Sequence, residues 1–523
     1  MQERGTGVTC AAVSSYRGER GASYKEGTCI LKLLMKGKPI LTTIGFIGAK
    51  QKSFMPDQKK PAVRHTIRWK WLFIIGLIGV LIIVLPTPEG LSAEGKRVLA
   101  VLVMAAGAFV TDALPVPAVA LLIPIALVLL QIDTPDGIAN SMMSDSVLFI
   151  MGSLMIAVVL TKHGLDRRIA SFILQRTGTS TLKVSFGLVS ACALLSSVMS
   201  DHMVAAVMLP VGIAIVESAR EERSPFLGKL IMFSIAYGCA IGGMGTPSGG
   251  ARNAIMIAYW RQLFDVHIGY GQWVIAAFPI VLINIPVTTF ILTRVFKPEV
   301  RDLENALTKI NQYTLTTRMS KEETKTLLIF FLIITLWITV GDRFGLGMIA
   351  LFGAVLFLIL GLVEWGDYQR SVAWGVVLLY SGAISLGIAL MKTGAAFYIA
   401  EGFLGFLQEI GLYSEQSFTA SSAFLTMMMT QAMSDGAAVA VIGPINLELA
   451  YLTGASIIRV GLATASSAAF AYLLVIGTPP NAIVSSSGYV FPRDFLKAGI
   501  FQTGASFLIL LFFISFVWRI LGI

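Results

Sequence analysis

Two aspartates stand where a carboxylate is expensive. Asp201 lies in "MSDHMVAAVMLP" from Met199 and Asp435 in "MSDGAAVAVIGP" from Met433; each motif runs on through small residues and closes on proline. Two further stretches interrupt apolar runs: "GGMGTPSGGARN" from Gly242 and "IGTPPNAI" from Ile476. Proline removes an amide donor and glycine permits unusual dihedrals, so both should open a helix and leave carbonyls unpaired. Freed carbonyls and hydroxyls suit a hard cation such as Na+, and helix N-termini just beyond a break suit an anion. This is ion-binding chemistry rather than bond-making chemistry. The sequence has no HExxH or GxSxG motif, and its four histidines, His65, His163, His202 and His267, are scattered. No enzyme is expected, and no cofactor.

The elements that must position these residues are membrane helices. Hydrophobic residues make up 55% of the 523-residue chain and charged residues 13%, with a mean hydropathy of +0.78, far from a soluble composition. The net charge of +10 reads as Lys- and Arg-rich cytoplasmic loops rather than a nucleic-acid surface. Cys10, Cys29, Cys192 and Cys239 have neither CxxC nor metal-ligand spacing. Residues 1–67 contain no long apolar run and no signal-peptide pattern, and are expected to be a poorly ordered leader; Met55 is an alternative start.

Apolar runs near the length a bilayer requires, about 17 to 25 residues, fall at about 71–86, 98–113, 115–131, 146–161, 230–258, 272–294, 325–341, 345–363, 371–391, 456–488 and 497–519. These are eleven expected spans. Two more apolar stretches, about 184–216 and 417–450, are interrupted by the Ser-Asp motifs. Lys162, Arg167, Arg168, Arg176 and Lys183 precede the first, and Arg220, Arg223 and Lys229 follow it, so both flanks look cytoplasmic. Around the second, Lys392 stands against Glu401, Glu409 and Glu415, and Glu448 follows with no base before Arg459, so both flanks look external. A segment with both ends on one side must turn back. One re-entrant hairpin from each face is therefore expected, with the N-terminus cytoplasmic.

The chain also repeats itself. "GSLMIAVVLTKHG" from Gly152 aligns with "GAISLGIALMKTG" from Gly382 at an offset of 230, the Ser-Asp motifs at 234, and the "GTP" of Gly245 and Gly477 at 232. The expected layout is a leader to residue 67, a first span over 68–96, a repeat over 97–296, a basic cytoplasmic linker over 297–324 and a second repeat over 325–523. With five spans and a hairpin each, the repeats have opposite orientations. Inverted repeats with broken helices are how many secondary transporters build a site, because freed backbone is tolerated only where it lines a cavity.

From Trp71 to the C-terminus the chain resembles the divalent-anion:sodium symporter family of the ion transporter superfamily. The resemblance rests on "FVTDALPVP" from Phe109, both hairpin tips and "GTPPNAIVSSSGYV" from Gly477. It implies homodimers in a plasma membrane, bacterial and inner, in which a transport domain moves like an elevator against a scaffold. In that family each tip carries Ser-Asn-Thr, whose asparagines help bind Na+ and whose side chains contact a substrate carboxylate. Carried over by position, the substrate contacts are Ser200, His202, Thr246, Pro247, Arg252, Ser434, Gly436, Thr478 and Pro479. The Na+ or H+ ligands are Ser196, Ser200, Asp201, Gly245, Thr430, Ser434, Asp435 and Gly477. Both serines and both Thr-Pro pairs are kept, while the asparagines are Asp201 and Asp435 and the threonines are His202 and Gly436.

An ionised carboxylate at the bilayer centre costs about 2.5 to 3.5 kcal/mol on insertion scales. Three readings compete: each aspartate binds Na+, one or both carry H+, or the substrate is no simple divalent anion. Two charges 4 Å apart interact by roughly 4 kcal/mol at an effective dielectric near 20, so a dianion could not bind well beside two bare aspartates. Arg252 and His202 are the candidate positive partners. The bland alternatives are a headgroup or loop contact for Arg252, a neutral backbone-capping histidine for His202, and helix capping for the aspartates. Asp112, Glu364 and Asp367 read as solvated span ends, the methionines at 427–429 as packing, and Asn481 as a support for its freed backbone. The expected function is Na+-coupled import of a small anion, a C4-dicarboxylate first. The alternative is proton-coupled anion transport or Na+/H+ exchange using Asp201 and Asp435. A channel would need a continuous polar lining, whereas polar residues cluster at the four interruptions.

Overall fold

The computed structural model describes residues 67–219, 225–298, 300–303 and 319–523. The leader before Ile67, Arg220, Arg223 and most of the basic linker lie outside the described residues. Among the described residues every regular element is helical, with one isolated antiparallel bridge between Ser180 and Asp302.

Helix α1 (Trp69–Val84) is followed by α2 (Ala93–Thr111), which starts ahead of its apolar run because the Ser92 hydroxyl accepts from the Gly95 amide. Asp112 ends α2 in the left-handed region, and Pro115 introduces α3 (Val116–Leu129). Next come the short α4 (Pro135–Met142), α5 (Asp145–Lys162) and α6 (Leu165–Thr177). Helices α7 (Thr181–Ser196) and α8 (Asp201–Ser218) meet at the first Ser-Asp motif. Helices α9 (Pro225–Gly242) and α10 (Ala251–Phe264) flank the first Gly/Pro break, and α11 (Tyr270–Val295) closes the half. Beyond the linker, the Ser320–Glu323 capping box starts α12 (Lys321–Phe344). Then follow α13 (Leu346–Ile359), α14 (Trp365–Ser371), α15 (Trp374–Lys392) and α16 (Ala395–Glu409). Helices α17 (Glu415–Ala432) and α18 (Asp435–Thr453) meet at the second Ser-Asp motif, and α19 (Ile457–Ser467) and α20 (Pro479–Ser485) flank the second break. Helix α21 (Pro492–Phe512) passes through a π-turn, Phe513–Val517, into α22 (Trp518–Ile520).

Each expected span coincides with a helix or, at the two breaks, with a pair of helices. Among the described residues, eight helical runs are long and apolar enough to cross a membrane. Several others are apolar but shorter, α3 and α13 having 14 residues each. The chain is an all-helical polytopic membrane protein.

The order of elements from α3 to α11 recurs from α13 to α21. Even the turns correspond: Gln131 and Gly361 leave α3 and α13 with positive φ, and the left-handed Gly164 and Gly394 precede α6 and α16. The halves also interlock reciprocally. A Cβ at Gly152 of α5 would lie 2.7 Å from the Ala350 carbonyl carbon of α13, and at Gly382 of α15 it would press on the Ala120 carbonyl of α3. Gly152 matches Gly382, and Ala120 matches Ala350, at the same offset of 230. Only glycine permits these close crossings, where backbones pack without a hydrophobic driving force between helices.

One expectation is corrected. Asp367 is not a solvated span end: it is buried, accepts from the Glu364 amide at 3.1 Å and is bonded to Lys162 at 2.6 Å and Arg370 at 3.2 Å. Burial alone would push its carboxyl up, but these partners outweigh burial and hold it below the usual carboxylate range. Met427 is buried in the packing, whereas Met428 is exposed.

Candidate functional site

The two hairpin tips have the same local chemistry. Ser200 and Ser434 are the extended N-cap residues of α8 and α18, and neither hydroxyl caps its helix. That task falls to the aspartates: Asp201 Oδ1 accepts from the His202 amide at 2.7 Å, and Asp435 Oδ1 accepts from the Gly436 amide at 2.7 Å. Each carboxylate therefore spends Oδ1 on the amide that follows it and leaves Oδ2 to other partners. The His202 ring folds back onto the Ser200 hydroxyl, with Nδ1 at 3.6 Å from Asp201 Oδ1.

Four residues before each N-cap serine, a hydroxyl ties the hairpin to a broken helix. Ser196 donates to the Cys239 carbonyl at 2.8 Å, and Thr430 donates to the Ala468 carbonyl at 3.0 Å. The breaks themselves are held by buried asparagines. Asn253 Nδ2 donates to the Gly243 and Thr246 carbonyls at 2.8 and 2.7 Å, and Asn481 Nδ2 donates to the Ala471 and Leu474 carbonyls at 2.9 and 3.0 Å. In both asparagines Oδ1 is buried without a partner among the described residues. Thr246 donates to the Ser197 carbonyl, fastening the first break to the first tip.

Arg252, the second residue of α10, is fully buried. A cation is disfavoured at a helix N-terminus, so it must find acids, and it does. Its Nη1 contacts Asp435 Oδ2 of the opposite half and lies 4.0 Å from Asp201 Oδ2, while Nη2 donates to the Ala240 carbonyl at 3.2 Å.

Both tips open into one cavity of about 340 Å3. Of the expected site residues, Ser200, Asp201, His202, Pro247, Ser434, Asp435, Gly436 and Pro479 line it. Ser196, Gly245, Thr246, Arg252, Thr430, Gly477 and Thr478 do not; they stand in the layer behind. Arg252 is thus neither at a headgroup nor in a loop, and its guanidinium faces the aspartates rather than the open space. The opposite wall comes from α5 and α15, with Phe149, Ile150, Ser153, Leu379 and Tyr380. Sequence reasoning passed over Tyr380 and Asn253. The repeat held a signal for the first, since the offset of 230 that matches Gly152 to Gly382 also places Tyr380 opposite Ile150.

Residues 66–523 match the family described as the sodium:sulfate symporter transmembrane region. The chain belongs to this family. It is a transporter and not an enzyme. Among its relatives, the sodium-dependent dicarboxylate transporter SdcS of Staphylococcus aureus strain bovine RF122 / ET3-1 is 27% identical over 484 residues, covering 86% of this chain and 92% of that protein. The SdcS of strain MRSA252 is 26% identical over 500 residues, covering 90% and 95%. The fold is similar to that of Neisseria gonorrhoeae MtrF, with a TM-score of 0.53 at 13% identity over 84% of this chain and 94% of that one. It is similar also to the Alcanivorax borkumensis YdaH transporter, with a TM-score of 0.50 at 12% identity over 87% and 97%.

Proposed function

We propose that the protein is a secondary active transporter that imports a small anion, a C4-dicarboxylate first, together with Na+. The observation that carries this reading is the meeting of both Ser-Asp tips, one from each half, in a single cavity. Even with Arg252 offsetting one carboxylate, the remaining negative charge disfavours a dianion unless a cation loads first. The supply of oxygens suits Na+: the Oδ2 of Asp201, two tip serines not used in capping, and the unpartnered Oδ1 atoms of Asn253 and Asn481. A cavity of about 340 Å3 lies at the small end of ligand sites, and the N-termini of α8, α18 and α20 favour negative charge once the carboxylates are neutralised. The SdcS relatives, by name sodium-dependent dicarboxylate transporters, support the ion and the substrate class.

The reciprocal crossings Gly152–Ala350 and Gly382–Ala120 support an inverted repeat, and with it alternating access by elevator-like movement of the tip-bearing region. We further assign the protein to the plasma membrane of a bacterial cell, with a cytoplasmic N-terminus, as a homodimer. His202 beside Asp201 favours one second reading, in which a proton replaces Na+. Uptake of labelled dicarboxylates, citrate and sulfate into proteoliposomes, with Na+ and pH varied independently, tests both. Saturable dicarboxylate uptake that requires a Na+ gradient supports the first reading. Uptake driven by a pH gradient without Na+ supports the second, and a Na+-driven pH change without any anion would make the protein an exchanger.

A further inference from the structure

The two tips are alike in sequence, but their surroundings differ in one residue whose charge the other half does not match. Six residues lie between Thr246 and Asn253 in the first break and two between Thr478 and Asn481 in the second, an excess of four. Both asparagines perform the same task, donating Nδ2 to two freed carbonyls, so they fix the correspondence. Arg252 is among the six, whereas the two are Pro479 and Pro480, so the second break carries no cation.

Room for its side chain is made by the glycines around it. A Cβ at Gly243 would come within 2.6 Å of Arg252 Nη2, and one at Gly250 within 3.2 Å of Nη1. The guanidinium is fully buried, in direct contact with Asp435 and at the 4.0 Å limit of contact with Asp201. It is also tied by Nη2 to the Ala240 carbonyl.

Resting on the cation-coupled reading above, we propose that the tips divide the work: Arg252 is a tethered cation that permanently neutralises Asp435, and Asp201 alone takes the mobile Na+. With Asp435 and Arg252 cancelling, the empty site carries one net negative charge, on Asp201. Guanidinium at Asp435 holds the place a second ion would need, so the first half is the cation-responsive half. The second tip serves as a fixed wall of the site.

The test measures Na+-dependent thermal stabilisation of the purified protein, with K+ as the control salt and no anion substrate. Ligand that binds only the folded state raises its stability by mass action, so the titration reports cation binding whether or not any anion is transported. Its failure is therefore distinguishable from failure of the transport reading. Asp201→Asn is expected to raise the half-saturating Na+ concentration by about tenfold or more. Asp201→Glu, which keeps the charge, retains a measurable response should the asparagine variant not fold. Arg252→Gln and Asp435→Asn each leave a buried charge unpaired and are expected to lower yield and stability. The double variant Arg252→Gln/Asp435→Asn removes both charges, and its half-saturating Na+ concentration stays within about threefold of the wild type, well under the tenfold that 1.4 kcal/mol produces. A double variant that shifts the Na+ response as far as Asp201→Asn does overturns the proposal. So does an Asp201→Asn protein with an unchanged response, or a wild type that Na+ does not stabilise.

Discussion

Replacing Asn481 with leucine should uncouple the second break from the site while leaving the helices on either side intact. The side chain is fully buried, and its Nδ2 is the donor to two carbonyls, Ala471 at 2.9 Å and Leu474 at 3.0 Å. These carbonyls lie in the irregular stretch between α19 and α20. Each hydrogen bond contributes about 0.5 to 1.5 kcal/mol net, and the Ala471 carbonyl left buried and unpaired costs about 1 to 3 kcal/mol, whereas the Leu474 carbonyl keeps the Gly477 amide at 3.3 Å. Partial relaxation of the break recovers some of this, so a loss of about 3 kcal/mol is expected, equivalent to roughly a hundredfold in the population of the competent arrangement. Asn253→Leu in the first break should cost about as much, because Asn253 serves two carbonyls in the same way. The control is Asn446→Ala, which removes bonds to Ser422, Thr426 and Thr464 in the helix interior away from both breaks. It should lower thermal stability and leave the Na+ concentration for half-maximal uptake unchanged. The assay is initial-rate uptake into proteoliposomes over a Na+ series, beside thermal unfolding of each variant in detergent. If Asn253→Leu and Asn481→Leu retain uptake and Na+ dependence within about twofold of wild type, under half a kcal/mol, the asparagines do not hold the breaks.

Other parts of the account can be tested separately. Gly382→Val should prevent the α15–α3 crossing, since even a Cβ presses on the Ala120 carbonyl, and little folded protein is expected by size-exclusion chromatography. Tyr380→Ala enlarges the cavity on the wall facing the tips and should raise the KM for the anion more than it changes the Na+ dependence, as seen in paired substrate and ion titrations. Lys162→Met removes the 2.6 Å bond to Asp367. Because partners depress the Asp367 carboxyl in the folded protein, the cross-link contributes at neutral pH and is lost only as pH falls through the low carboxylate range. The variant should therefore be less stable at pH 7 and approach the wild type at strongly acidic pH, as measured by thermal unfolding.

Much of this fold was legible because membrane helices announce themselves by length and apolarity. Their interruptions do so by proline, glycine and a charge that hydrocarbon does not tolerate. The two Ser-Asp motifs and the two Gly/Pro breaks could be placed on hairpins and unwound helices from residue type alone, and the offsets near 230 ordered them into halves. Helix starts were less legible. Ser92 and Ser320 begin their helices from side-chain caps in polar sequence, where no hydropathy signal points. Least legible was depth. A sequence shows that Arg252 follows a glycine-rich break, but only the packing of α10 against the second half puts it behind both aspartates instead of at the rim. Asp367 was misjudged for a related reason: the base that pairs with it, Lys162, is 205 positions away.

Simultaneous measurement of labelled Na+ and labelled succinate entering proteoliposomes, in wild type and in Asp201→Asn/Asp435→Asn, tests the central claim most directly. The account predicts that succinate entry requires Na+ and moves with it in a fixed ratio in the wild type, and that the ratio changes in the double variant. Succinate entry that is independent of Na+, or a ratio that survives removal of both carboxylates, would contradict it.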